Sequence, residues 1–110
     1  MTDKVVVLVT CGKAAEAHRI ARALVEGRLA ACVNELAGRV RSVYRWKGEI
    51  ESATEVPVLI KTRAERYAEV EAAIRSLHPY ELPEIVAVSV VHGLDEYLEW
   101  VAGETTISIG

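Results

Sequence analysis

The pattern of hydrophobic and polar positions changes period several times along the chain, and each change marks an element. Residues 4–10, "KVVVLVT", are a β-branched run without alternation, as in a strand covered on both faces or lying centrally in a sheet. From 14 to 26 the period becomes helical. Ala17, Ile20, Ala21, Leu24 and Val25 share one helix face, and Gly27 suits the C-terminal stop. Residues 31–46 read as extended, with "LAG" at 36–38 as the place for a bulge or bend. Beyond it Val40, Ser42, Tyr44 and Trp46 alternate with Arg39, Arg41, Val43 and Arg45. "KGE" then predicts a tight hairpin, whose return arm runs over 49–62 and ends in the apolar "VLIK".

Thr62-x-x-Glu65 has the form of a capping box and predicts the start of a second helix. Its apolar stripe is Tyr67, Val70, Ile74 and Leu77, and it must stop at His78, because a residue before proline is pushed out of the α region. A fourth strand over 84–91, a short helix over 93–103 and a terminal strand in "TTISI" complete the chain. This order is βαββαβ with an added C-terminal helix. It predicts an α+β, ferredoxin-like sandwich in one domain, 1–110, with an extended hairpin between the second and third strands. Right-handed crossovers give the sheet order fourth, first, third, second.

Chain direction then places the chemistry. Cys11 ends the first strand at one edge of the domain, and Cys32 starts the second at the other, roughly 20 Å away at about 3.3 Å per residue. His78, Tyr80, Glu81 and Glu84 arrive beside Cys11, held stiff by Pro79 and Pro83. Arms of about 14 residues span on the order of 45 Å when extended, against a radius of gyration of roughly 13 Å for so small a domain. The hairpin must therefore project, carrying Tyr44, Trp46 and Ile50, and an unprotected aromatic edge predicts a homo-oligomer. Pro57 marks where the arm leaves the sheet. Register counted from the turn sets Lys61 near Asn34.

Composition narrows the function. The chain is 51% hydrophobic and 26% charged with a formal net charge of -3, and no polybasic block of the kind that neutralises phosphates. Nucleic acid and anionic membrane are excluded as expected partners. No apolar run approaches the ~20 residues of a membrane span, and the start "MTDKVVVLVTCG" reads as a strand, so the expected location is cytoplasmic. Cys11 and Cys32 fit no C-x-x-C spacing. No nucleophile motif, phosphate-cradling loop or paired-carboxylate signature is present, and the expectation is a protein that is not an enzyme.

The candidate residues each admit two readings. Cys11, His78 and Glu81 offer sulfur, imidazole and carboxylate, a set suited to copper or zinc; otherwise they are a packed thiol and a helix-ending histidine that caps carbonyls. Cys32 reads as a packed thiol, or as one brought to a neighbouring subunit's aromatic side chains. Tyr44 and Trp46 read as interface anchors, and Lys61 as a strand-end charge or a holder of an anion. Glu49, Glu51 and Glu55 read as a solvated acidic face.

Five segments, "RLAACVN", "VYRWKGEIE", "LIKT", "HPYELPEIVAV" and "YLEW", stand in an order and spacing that resembles the CutA-type divalent-cation tolerance proteins over essentially the whole chain. Only the first loop, "CGKAAEA", departs, where the family commonly has a proline. The resemblance implies a ferredoxin-like fold in a tight homotrimer, similar in outline to PII-type signalling proteins, and a link to copper or another divalent metal ion. No metal is required for folding in this reading. It implies as candidates Cys11, Cys32, Tyr44, Trp46, Lys61, His78, Tyr80 and Glu81. The leading expectation is a non-enzymatic trimer of metal tolerance. Its alternative is a PII-like module that takes a small anion or a protein partner in clefts between subunits, bounded by Tyr44, Trp46, Lys61 and Glu81.

Overall fold

The structure, a computed structural model, describes residues 2–106. The elements are β1 (Lys4–Cys11), α1 (Ala14–Glu26), β2 (Cys32–Glu35), β3 (Val40–Trp46), β4 (Glu49–Arg63), α2 (Tyr67–Leu77), β5 (Ile85–Ser89) and α3 (Asp95–Glu104). The sheet runs β2-β4-β1-β5, with β3 continuing beside β4 beyond β2. With the 31–46 segment taken as one strand, this is the order expected from right-handed crossovers, and the fold is ferredoxin-like.

Alternation along the strands sorts side chains onto two faces. On one face Val7, Val9 and Cys11 of β1 and Val56, Val58 and Ile60 of β4 pack with Ala17, Ile20 and Leu24 of α1 and Val70 and Ile74 of α2. Alanine and branched aliphatics fill this core without any phenylalanine. The other face carries Val6, Leu8, Leu59, Lys61, Cys32, Val86 and Val88, which the register aligns in cross-strand rows. Arg63 and Arg66 fasten the end of α3: Arg63 Nη2 and Arg66 Nε donate to the Thr105 carbonyl at 2.8 and 2.9 Å. Guanidiniums at a helix C-terminus also face the negative end of its dipole.

Two local expectations are corrected. Thr62 does not cap a helix: it is fully buried in β4, its hydroxyl donates to the Leu29 carbonyl at 2.6 Å, and a 3-10 turn at Ala64–Arg66 leads into α2. A buried carbonyl outcompetes a first-turn amide for this side chain. Lys61 lies opposite Cys32, and Asn34 opposite Leu59. The hairpin register from Trp46↔Glu49 to Val40↔Glu55 is interrupted by four residues on one arm, 36–39, against two on the other, 56–57. The surplus is even, so β2 slides by two positions and keeps its faces. The expected terminal strand "TTISI" falls mostly at 107–109, outside the described residues; Thr105 and Thr106 follow the end of α3.

Pro57 sits where this break occurs. Its carbonyl accepts from Leu36 N–H at 3.0 Å, so its missing N–H faces the looped-out arm, where no ladder bond is lost. One residue further out, Cys11↔Val56 is the last pairing of β1 with β4, and beyond it the arm runs with β3 alone. Lys47 and Gly48 turn it with φ of 50° and 84°, the left-handed pair that two-residue hairpins favour. The projecting arm stretches the molecule to 48 × 30 × 25 Å and its radius of gyration to 14.6 Å.

Candidate functional site at the upper end of the sheet

The helix-ending "HPYE" turn crosses the end of β1, as topology required. His78 leaves α2 with extended backbone, φ -83° and ψ 131°, which Pro79 imposes. Its ring is nearly buried and both nitrogens are occupied: Nε2 donates to the Thr10 carbonyl at 2.8 Å, and Nδ1 accepts the Tyr80 N–H at 3.2 Å. These partners fix the Nε2–H tautomer. The ring of Tyr80 leans on His78 with centroids 4.5 Å apart. Gly12 permits this approach, since a Cβ there would stand 3.1 Å from the Tyr80 hydroxyl.

Tyr80 reaches from this turn to the base of the hairpin. Its hydroxyl donates to Glu55 Oε2 at 3.0 Å. Glu55 is 6% exposed, which corrects the expectation of a solvated acidic face at this position. The side chain shares the face of Ser42, Tyr44 and Trp46, because Val40 lies opposite Glu55 and alternation continues to the tip. Burial, then the hydrogen bond and charge of Glu55, push the Tyr80 phenol up to about 12. Glu55 was legible only as one more hairpin acid; the signal for it is its place at the end of β1, where the Tyr80 turn folds over the arm.

Hairpin and turn enclose a cleft of about 780 Å³. Tyr44, Trp46 and Tyr80 line it together with Glu55, Glu81, Glu84 and Arg45. Within one chain Lys61 lies at the other end of β4 from this cleft, opposite Cys32. On that lower edge Tyr97 of α3 approaches Cys32, and burial followed by the thiol raises the Tyr97 phenol above its ordinary value.

The donors expected to hold metal do not converge within the chain. Cys11 is completely buried, and that burial, with Glu16, Glu55 and Glu35 nearby, pushes its thiol up to about 11. An ion taken by a thiol so held would have to displace its proton, which makes binding there pH-dependent. His78 has no free nitrogen, and Glu81 is exposed on the cleft side. Among the described residues no group of three His, Cys, Asp or Glu side chains is arranged to hold an ion. The expected Cys11, His78 and Glu81 set is thus a neighbourhood and not a ligand sphere in one chain. Cys11 and Cys32 are both free thiols, anchored five positions apart on β4, roughly 17 Å along the strand.

Residues 5–104 match the family model described as CutA1 divalent ion tolerance protein. The divalent-cation tolerance protein CutA of Thermus thermophilus is 44% identical over 100 residues, covering 91% of this chain and 96% of that one. The mouse protein CutA is 47% identical over 93 residues, 84% of this chain but 52% of the mouse chain, so the match spans about half of that relative. Among solved structures, CutA from Xylella fastidiosa superposes with a TM-score of 0.91 at 44% identity, covering 96% of this chain and all of the other.

Proposed function

We propose that this chain, which belongs to the CutA1 family of divalent ion tolerance proteins, works as a non-enzymatic homotrimer in the response to divalent metal, with copper as the leading ion. The observation that carries the reading is the apolar surface that one chain leaves open. Val43 and Ile50 on the hairpin are 66% and 63% exposed, and Val86 and Val88 on the uncovered sheet face are 48% and 51% exposed. Exposed apolar side chains on the arm and on the uncovered sheet face, beside a free strand edge, are surfaces made for another copy of the chain. Tyr44 and Trp46 serve as anchors on the arm.

In this reading an ion bound near Cys11, His78 and Glu81 takes at least one ligand from a second subunit, because the three donors of one chain do not meet. Binding there also displaces a hydrogen bond of His78, which costs about 0.5–1.5 kcal/mol. Calorimetric titration of the reduced protein with copper tests it. A stoichiometric site weakened by His78→Ala and Cys11→Ser is the expected result, and identical isotherms for wild type and both variants remove these residues from the metal site. The proposed compartment is the cytoplasm, in keeping with two unpaired thiols.

A second reading, a PII-like module that binds a small molecule, is favoured by the cleft between hairpin and turn, whose volume falls within the range of ligand pockets. Three glutamates and one arginine line the part of this cleft that one chain supplies.

A further inference from the structure

We infer that the outward face of α3, formed by Tyr97 and Trp100 with Glu96 and Glu99, is the surface on which the β3–β4 arm of a second copy of this chain docks. The inference rests on the self-association proposed above and names the receiver of the arm. Val101 is buried and Leu98 half-buried, so they set the inner side of α3. The opposite side leaves Tyr97 39% and Trp100 45% exposed, with their rings 5.5 Å apart. Two neighbouring aromatic side chains on the outside of a short helix form a contact patch that one chain does not cover. Glu96 stands one turn before Trp100 and Glu99 beside it, both exposed, and α3 carries no lysine or arginine.

The arm carries the complement. Alternation puts Arg41, Val43 and Arg45 on one side of β3, and Ile50 lies opposite Arg45 on β4, so exposed aliphatic and guanidinium groups share a face. Among the described residues Arg41, Arg45, Glu96 and Glu99 form no ion pair. A guanidinium pairs with carboxylates and stacks on an indole, so this arm face matches the helix face in charge as well as in apolar contact. The arm does not reach the α3 of its own chain. Tyr97 sits beside Cys32, which lies opposite Lys61, and from there to the tip at Glu49 the strand runs away for roughly 40 Å. Arm and receiver are different surfaces, so the contact is head-to-tail, the kind that closes into a ring of copies.

Sedimentation velocity over a dilution series of the full chain tests the docking. Three variants stand beside the wild type: Glu96→Lys with Glu99→Lys on α3, Arg41→Glu with Arg45→Glu on the arm, and all four changes together. Every one of these positions is exposed, so each chain keeps its fold, which unchanged far-ultraviolet circular dichroism verifies. Each pair of reversals should raise the concentration at which the assembly dissociates about tenfold or more, because like charges then meet. The four changes together should bring it back toward the wild-type value, because the charges match again. An assembly that either pair of reversals leaves unchanged, or weakening that the four changes do not relieve, overturns docking on α3 while self-association stands. A wild type that sediments as one chain overturns self-association and the docking with it.

Discussion

Tyr80→Phe is the sharpest probe of how the upper end of the sheet is built. The substitution removes one oxygen and leaves the ring on His78, so its effect isolates the bond to Glu55. A hydrogen bond to a charged acceptor contributes about 1.5–3 kcal/mol, and the buried position of Glu55 keeps water from replacing it fully. In urea unfolding at fixed protein concentration, Tyr80→Phe should therefore lose about 1.5–3 kcal/mol. Glu55→Gln keeps an oxygen acceptor but removes the charge, and a neutral bond is about half as strong. In that background the same Tyr80→Phe change should cost only about 1 kcal/mol, and the difference is the coupling a double-mutant cycle reads. Ultraviolet titration supplies an independent check, since Glu55→Gln should bring the Tyr80 phenol down from about 12 toward its ordinary 10.0. A Tyr80→Phe protein within 0.5 kcal/mol of wild type, with no coupling to Glu55, would refute this bond.

The remaining predictions address the fold and the two thiols. The Cys11 thiol is raised from 9.0 to about 11, so the native state holds its proton longer than the unfolded chain does. Its contribution to stability is complete below pH 9.0 and is lost as pH rises through about 11, a slope in pH-dependent unfolding that Cys11→Ala should flatten. Ellman's reagent should leave Cys11 untouched in native protein at pH 8 and reach it on denaturation. Thr62→Val should cost about 1–3 kcal/mol in chemical unfolding by stranding the Leu29 carbonyl, while Glu65→Ala changes stability by less than about 0.5 kcal/mol; the reverse ranking would restore the capping box. Arg63→Met should speed hydrogen exchange in α3 and leave β1 and β4 protected; uniform protection would show that the arginine does not fasten the helix.

Much of the fold was legible because periodicity and chain direction are local facts with few topological solutions. The change from unbroken to helical to alternating pattern located β1, α1 and the hairpin, and right-handed crossovers placed "HPYE" beside Cys11. What pattern does not encode is competition between partners. Thr62 had an amide and a carbonyl within reach of its hydroxyl, and only the packed Leu29 loop decides between them. Lys61 was misplaced because an extra pair of looped-out residues leaves the alternation of faces unchanged. His78 and Cys11 carry metal-binding atoms, but spacing alone did not show that Thr10 and Tyr80 already occupy the ring, or that the thiol is sealed. Glu55 was hidden for the complementary reason: its chemistry comes from a tyrosine 25 positions away.

Sedimentation equilibrium of the purified protein at low micromolar concentration bears most directly on self-association through the arms and the uncovered sheet face. Three times the 12.1 kDa chain mass is the predicted result, falling toward one chain when Val86 and Val88 are both changed to glutamate. A stable 12.1 kDa species for the wild type would contradict it.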